Sequence, residues 1–342
     1  MAYVQAACPP GGTRTWTVVN EKYEVITVID EWLESHRNRD HGSPNTVNNY
    51  ATSLAQWWTF LELRGEADQW NALGAPTLAS FLTWLRNGRT SEHVLIPSQK
   101  SPSPATLQAR LAAVISFYRW HGAMSGVPVI ERVMRGPASR RRSHGLLAHL
   151  AARSPLRATS LVRVRRPRGA RPPVLKPKEW QAILDACAVF NQETGEWTGN
   201  LRDRFLFALL QDSGLRLGEA LGMRIKDFAA LAEALPYVDV VPREDNSNGA
   251  RVKGMRFRVV YVSHDLRELF TDYVTHMTCR AADEGITITL DSPLFVNLYR
   301  PPLMAAMRPE TVYDKVNRLK KNGVGPKEWT PHWFRHSHAT EL

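Results

Sequence analysis

An arginine and a glutamate three residues apart, at a break between two apolar stretches, form the segment of this sequence best suited to chemistry. A helix-like apolar run, residues 204–210, is interrupted at Ser213–Gly214, and an amphipathic stretch restarts at Leu217. Arg216 stands at the break, and the spacing puts Glu219 on the same helical face, where it can orient the guanidinium. This arrangement predicts a fixed cation at the edge of a core, although a solvated surface ion pair has the same spacing.

A second group of chemically useful residues lies near the other end of the sequence. Residues 330–340 read Thr-Pro-His-Trp-Phe-Arg-His-Ser-His-Ala-Thr, which places His332 three residues before Arg335. A lone His-x-x-Arg segment is common by chance. Its position after the Arg216 segment, with a long stretch between them, makes it informative.

Both segments resemble sequence boxes of the tyrosine recombinases, also called phage-integrase-like recombinases. The first box of that family reads roughly Thr-Gly-Leu-Arg-x-x-Glu-Leu and ends in an aspartate followed by a hydrophobic residue. Ser213–Glu219 and Asp227–Phe228 match this box, and His332–Thr340 match the second, His-x-x-Arg followed by His and Ala-Thr. The resemblance extends over residues 23–342.

The resemblance implies cleavage of a DNA phosphodiester without a metal or other cofactor. Arg216 and Arg335 would hold the non-bridging phosphate oxygens, because planar guanidinium groups fit these oxygens bidentately. His332 would be a hydrogen-bond donor or general base, since its ordinary pKa lies near neutrality. We expect His336 and His338 to pack or to face solvent.

A β-rich region, residues 237–262, separates the two boxes. Its strand-like runs and an Asn-Gly turn signal predict a small antiparallel sheet. In the family, a lysine in such a hairpin is the general acid, and Lys253 stands in the matching Lys-Gly context. Arg251, Arg256 and Arg258 are rivals for the basic role, but only a lysine ammonium can lose a proton. The alternative is a solvated hairpin lysine.

The family's nucleophile is a tyrosine a few dozen residues after the His-x-x-Arg box, preceded by another histidine or tryptophan that binds the phosphate. The sequence ends at Leu342, seven residues after Arg335, and contains neither element. Tyr299 and Tyr313 do not stand at the family position. We therefore expect a fragment or a truncated recombinase that does not cleave DNA as this 342-residue chain.

Composition indicates a globular protein with a polyanionic partner. A chain of 342 residues can form two domains, and 43% hydrophobic residues argue against disorder. The net charge of +11 suggests a polyanionic partner, most simply nucleic acid, and the family resemblance implies double-stranded DNA. Cys8, Cys187 and Cys279 lack metal or disulfide spacing, and the sequence shows neither a membrane span nor a secretory signal. We expect a cytoplasmic, nucleoid-associated protein.

The predicted fold is mainly α-helical with a small antiparallel β-sheet. Residues 1–22 contain proline and glycine without periodicity and are predicted to be a flexible arm. Residues 23–135 carry helical periodicity, with Ser-Pro start signals at Pro44 and Pro104, and resemble the SAM-like helical core-binding domain of the family. Residues 173–342 resemble its α+β catalytic domain, C-terminally incomplete.

Two regions outside the catalytic domain are candidate DNA contacts. Free backbone amides at helix N-termini can bind phosphates. Residues 136–172 are a predicted arginine-rich linker, and residues 132–171 hold twelve arginines without Asp, Glu or Lys. Because uncompensated arginines repel one another, DNA phosphate is the favoured partner, and a merely solvated linker is the alternative. The nominated residues are Asn45, Thr46, Thr106 and Arg110 at helix starts, and Arg140, Arg141, Arg142, Arg163, Arg165, Arg166 and Arg168 in the arginine-rich stretch.

The predicted function is site-specific DNA recombination or integration through a 3′-phosphotyrosine intermediate. The resemblance implies an integrase, transposase or resolvase that works as a homo-tetramer on two duplexes, without ATP or metal. A non-catalytic DNA-binding protein and a type IB topoisomerase-like enzyme are alternatives. An RNA-binding protein is disfavoured, because simple binding needs no ordered Arg, Lys, His-x-x-Arg series. Phosphate contacts carry no base information, so the sequence does not define a target site.

Overall fold

The structure, a computed structural model, describes residues 1–8, 15–38, 44–87, 101–135, 159–165, 172–228 and 235–341. The chain divides into two compact units, Met1–Gly169 and Ala170–Leu342. Each unit is mainly helical and contains two-stranded antiparallel sheets, which confirms the predicted fold class. None of the described helices is long and apolar enough to cross a membrane.

The first unit is built on helices with an aromatic core. The helices are α1 (Thr27–Arg37), α2 (Pro44–Leu63), α3 (Ala75–Arg86), α4 (Pro104–Ser125) and α5 (Val129–Val133). α4 begins at its predicted cap, where Ser103 Oγ accepts a hydrogen bond from Thr106 N at 3.2 Å. Ser43, the matching residue before α2, lies outside the described residues. The buried rings include Trp32, Trp57, Phe117 and Tyr118.

A two-stranded sheet occupies the segment that the sequence predicts to be a flexible arm, so that prediction is wrong for these residues. β1 (Tyr3–Ala7) pairs antiparallel with β2 (Thr15–Val19). Val18 is fully buried in the core of the first unit, and Ala2 N donates a hydrogen bond to Thr59 Oγ1 on α2 at 2.9 Å. The prolines and glycines at positions 9–12 led to the prediction of a flexible arm, although the β-branched residues of β2 favour a strand.

A second short sheet extends the first unit beyond its predicted end. β3 (Met134–Arg135) pairs antiparallel with β4 (Thr159–Ser160), so Arg135 and Thr159 are adjacent. After β4, Val162 and Val164 pack against the core of the first unit. The helical unit therefore includes part of the stretch that the sequence predicts to be a linker.

The second unit contains six described helices and two described strand pairs. The helices are α6 (Pro177–Asp185), α7 (Leu201–Ser213), α8 (Leu217–Leu221), α9 (His264–Asp283), α10 (Pro309–Lys321) and α11 (Pro331–Glu341). The strands are β5 (Ala188–Asn191), β6 (Glu196–Gly199), β7 (Tyr237–Val240) and β8 (Arg258–Tyr261). β7 and β8 form the predicted antiparallel sheet. The sequence interpretation did not include the β5–β6 pair.

α7 is the most buried helix of the second unit and sets the positions of its neighbours. The Phe207 ring on α7 stacks on Phe334 of α11, with ring centroids 5.5 Å apart. Phe205 on α7 stacks on Tyr273 of α9 with a centroid distance of 5.3 Å. Because aromatic packing of this kind fixes helix orientation, the end of α7 and the start of α11 are held together.

Candidate active site

The site begins at the turn after α7. Gly214 has a left-handed backbone with φ of +59°, and the chain then becomes extended at Arg216, the N-cap of α8. A Cβ atom on Gly214 would lie 2.5 Å from the ring of His338. Both the backbone conformation and the available space therefore require glycine at this turn.

Glu219 anchors Arg216. Its carboxylate is fully buried and accepts hydrogen bonds from Arg216 N at 2.9 Å and from Arg216 Nη1 at 2.8 Å. The Arg216 side chain stays 38% exposed. One edge of the guanidinium is thus held by a buried partner while the rest faces solvent. Arg216 is therefore the fixed cation at the edge of a core that its spacing to Glu219 predicts. In a solvated surface pair, the carboxylate would be exposed to water.

A second arginine, Arg258 at the start of β8, holds the same carboxylate. Arg258 Nη2 lies 2.6 Å from Glu219 Oε2, and Arg258 Nη1 lies 3.3 Å from Glu219 Oε1. From the sequence, Arg258 is only a rival of Lys253. The signal that could have found it is the strand alternation of β8, in which Val259 is exposed and Val260 packs towards the core, so Arg258 also faces inward.

The charge state of Glu219 follows from these contacts. Burial alone would raise the pKa of Glu219, but the hydrogen bonds from Arg258 and Arg216 and the positive charge of Arg258 outweigh burial and hold that pKa below its ordinary value. The carboxylate is therefore ionised at neutral pH. Its single negative charge is shared between two guanidinium groups.

Arg335 reaches the same turn from α11. Arg335 Nη1 donates a hydrogen bond to Gly214 O at 2.6 Å, between residues 121 positions apart in the sequence. Burial, followed by the charge of Arg216, lowers the pKa of Arg335. The charge of Arg258 acts in the same direction, so the three guanidinium groups lie within electrostatic reach of one another. The structure therefore brings together the two arginines that the sequence predicts to bind phosphate.

His332 and Lys253 lie in the same positive field. Burial lowers the pKa of His332, and the charges of His336 and Arg335 lower it further. The charges of Arg216 and Lys253 contribute in the same direction. His332 is therefore neutral at pH 7 and can donate or accept a hydrogen bond. Lys253 is exposed in the turn that precedes β8.

The other two histidines of α11 differ from each other. His338 packs, as predicted, with Nδ1 3.0 Å from Gln211 O and its ring against Gly214. His336 lies with its ring centroid 4.4 Å from that of His332. His336 is thus a second imidazole of the site to which the sequence interpretation assigns no role.

The two tyrosines set aside in the sequence have other surroundings. The Tyr299 hydroxyl lies 3.2 Å from Nε2 of His276 on α9. Tyr313 is 48% exposed on α10. Neither is hydrogen-bonded to Arg216 or Arg335 in the part of the chain that the structure describes.

The predicted DNA contacts of the first unit are only partly described. Asn45 and Thr46 are exposed in the first turn of α2, and Thr106 lies in the first turn of α4 with its Oγ1 2.9 Å from Ser103 Oγ. Arg110 follows one turn later on α4. The remaining nominated residues fall into two groups: Arg163 and Arg165 are exposed after β4, and Arg140, Arg141, Arg142, Arg166 and Arg168 lie outside the described residues.

Family comparisons agree with this geometry. The model of the phage integrase family matches residues 173–342. The model of the phage integrase N-terminal SAM-like domain matches residues 29–123. The chain belongs to the phage integrase family, the tyrosine recombinases. The matched region 173–342 contains Arg216, Glu219, Arg258, His332 and Arg335. The family prediction made from the two sequence boxes is confirmed.

Relatives of this tyrosine recombinase include a transposase and a Xer protein. Transposase A from transposon Tn554 of Staphylococcus aureus is 26% identical over 329 residues, which cover 96% of this chain and 82% of the relative. Tyrosine recombinase XerC of Rhodospirillum centenum is 29% identical over 320 residues, which cover 93% of this chain and 74% of the relative.

Solved structures of two other recombinases have the same fold. The XerH recombinase bound to its difH substrate matches this tyrosine recombinase with a TM-score of 0.53 at 18% identity, over 92% of this chain and 72% of that chain. The Tn1549 transposon integrase in complex with a circular intermediate DNA matches with a TM-score of 0.54 at 12% identity, over 92% of this chain and 85% of that chain. The roles of individual residues stay predictions from the boxes and the geometry.

Proposed function

We propose that Arg216 and Arg335 bind a DNA phosphate and that the chain is the phosphate-activating part of a site-specific recombinase. One observation supports this proposal: both arginines lie at the Gly214 turn. Arg335 donates a hydrogen bond to Gly214 O, and the buried Glu219 carboxylate holds Arg216. Donors fixed before the ligand arrives need little reorganisation, which favours stabilisation of a charged transition state.

In the proposed reaction a tyrosine hydroxyl attacks the phosphorus, and a 3′-phosphotyrosyl bond forms as the bond to the 5′ oxygen breaks. Arg216 and Arg335 offset the charge that develops on the non-bridging oxygens. His332 donates a hydrogen bond to the phosphate or takes the proton of the attacking hydroxyl, and Lys253 gives a proton to the leaving 5′ oxygen. The covalent intermediate keeps the phosphoester energy, so rejoining needs no ATP.

Double-stranded DNA is the proposed partner. XerH and the Tn1549 integrase, which share the fold, are bound to DNA in their structures. This chain carries a net charge of +11, and Arg163 and Arg165 are exposed. The family resemblance further supports a homo-tetramer on two duplexes, acting at the nucleoid in the cytoplasm. Size measurement by light scattering with and without DNA tests the assembly.

Covalent capture of DNA tests the proposed reaction. The coding DNA beyond the Leu342 codon is sequenced first, and if the frame continues to a tyrosine, the longer protein is mixed with nicked duplexes taken from the DNA flanking its gene. We expect a covalent adduct that survives denaturing electrophoresis. Arg216→Gln and Arg335→Gln should each reduce adduct formation by about 100-fold or more. Undiminished adduct in both variants would refute the assigned roles.

Two further outcomes are informative. If the frame stops after Leu342, we expect salt-sensitive DNA binding without an adduct, which corresponds to the non-catalytic alternative. An adduct formed by the 342-residue chain itself would show that its nucleophile lies within the present sequence, contrary to our expectation.

A further inference from the structure

We infer that Arg258 is a positioning residue that keeps Arg216 effectively cationic while Glu219 holds Arg216 in place. The inference rests on the proposed function, because it concerns the same phosphate-binding arginine. It concerns a residue outside the two sequence boxes, on a strand 39 positions from Glu219.

A buried carboxylate creates an electrostatic problem for the arginine that it orients. With Glu219 as its sole ionic partner, Arg216 would form a nearly neutral pair, because a close opposite charge in a water-poor site cancels most of the field of the cation. A neutral pair attracts a phosphate weakly. A buried anion that orients Arg216 would therefore weaken the attraction of Arg216 for phosphate.

Arg258 resolves this conflict by giving the carboxylate a second cationic partner, which makes two of its four hydrogen bonds. It approaches Glu219 with both terminal nitrogens, at 2.6 and 3.3 Å, whereas the Arg216 guanidinium uses only Nη1, at 2.8 Å. The second contact of Arg216 is through its backbone N–H. The Arg216–Glu219–Arg258 group thus carries one net positive charge, and further N–H groups of Arg216 stay available for a ligand.

The sheet of β7 and β8 fixes Arg258 in this role. Arg258 is paired opposite Val240, at one end of the sheet, and Tyr261 is paired opposite Tyr237 at the other. A slip of one residue in this pairing would turn Arg258 to the exposed face, because side chains alternate along a strand. The register of the sheet is therefore part of the phosphate site.

The inference is tested by titrating the intact 342-residue chain with inorganic phosphate at fixed pH. Phosphate binding is followed by the shifts of the arginine Nε–H resonances in ¹H–¹⁵N NMR spectra. We expect Arg216→Gln and Arg258→Gln each to weaken phosphate binding by about tenfold. The matched control is Arg280→Gln on α9. Arg280 also has a side chain 35% exposed and paired with acidic residues, Asp283 and Glu284, but lies outside the site.

Neutralising Glu219 separates charge compensation from a simple structural role. If Arg258 offsets the charge of Glu219, then Glu219→Gln added to Arg258→Gln should restore phosphate affinity to within about threefold of the unsubstituted chain. A structural role would not be rescued in this way. A double variant as weak as Arg258→Gln alone would overturn the inference.

A lysine variant covers the case in which Arg258→Gln does not fold, which thermal unfolding detects. Arg258→Lys keeps the charge, so phosphate affinity should stay within about threefold, and a tenfold loss in the folded Lys variant would overturn the charge argument.

The proposed function can fail separately. If Arg216→Gln weakens phosphate binding but Arg258→Gln behaves like Arg280→Gln, the inference alone is wrong. If Arg216→Gln has no effect, the proposed phosphate site is wrong, and the inference falls with it.

Discussion

Arg216 and Arg335 meet at one turn but are held by different kinds of partner. Arg216 is held by an ionised, buried carboxylate, whereas Arg335 donates to the neutral carbonyl of Gly214. A carboxylate contact is the stronger of the two, and a carbonyl contact takes no charge from the cation. The site thus combines one arginine oriented by a shared carboxylate with one oriented by a neutral carbonyl.

At the residue scale we predict that an anion raises the pKa of His332. Burial and the positive charges around the ring lower that pKa, and a bound anion would offset the charges. Sulfate is a suitable probe because it does not titrate near neutrality. An NMR pH titration of the histidine ring protons, with and without sulfate, should show the rise.

His276 is the matched control for this prediction. Its pKa is also lowered, by burial and by the charge of Arg280, but it lies on α9 beside Tyr299. Equal sulfate effects on both histidines would contradict a specific anion site.

Since the folded pKa of His332 lies below its unfolded value of about 6.5, its protonation opposes folding as the pH falls through and below that value. We expect sulfate to reduce this loss of stability.

The sequence predicts some residues of the site and misses others for a physical reason. Arg216 and Glu219 are three positions apart on one helix start, so their contact follows from local geometry. Arg335 is found only through its place in an ordered series of boxes. Arg258 contacts Glu219 across two elements, and no local spacing encodes a contact that depends on tertiary packing.

At the element scale, β2 provides a direct test of the corrected N-terminal segment. We predict that Val18→Ala lowers the free energy of unfolding by about 2 kcal/mol, because Val18 is fully buried and the truncation leaves a cavity. The control is Val25→Ala, the same change at a side chain 49% exposed. Equal shifts of the thermal midpoint would indicate a loosely attached arm after all.

The sequence predicts whether an element is a helix or a strand only where one face of the element is buried and the other is exposed. The structure confirms the predicted long helices α2, α4 and α9, and each of them buries residues spaced three or four positions apart. β5 and β6 are four residues each, and Val189 and Phe190 on β5 are both exposed. Neighbouring residues that are both exposed give no period-two alternation to read.

At the scale of the whole molecule, the net charge of +11 predicts strongly salt-dependent DNA binding. Each phosphate contact made by a cation contributes roughly one unit to the slope of log affinity against log salt concentration. We predict that Arg163→Gln/Arg165→Gln lowers that slope by about two on any duplex sequence. Fluorescence anisotropy over a series of salt concentrations measures the slope. A slope equal to that of the unsubstituted chain would show that neither residue contacts DNA phosphate.

The division of the chain into two units is predicted more accurately than the boundary between them. The arginine-rich composition indicates a linker from residue 136, but the first unit continues to Gly169. Composition reports charge and not pairing, and the β3–β4 contact joins residues just before the predicted linker to Thr159–Ser160 within it. Strand pairing across such a distance leaves no trace in local composition.

That β3–β4 pairing makes residues 136–158 a candidate for replacement by a short turn. Arg135 and Thr159 are cross-strand partners, so a turn of a few residues can join them. We expect a variant in which such a turn replaces residues 136–158 to keep the described elements before and after it in place. Such a variant would lose the arginines at positions 140, 141, 142, 153 and 157 and leave the sequence of the second unit unchanged.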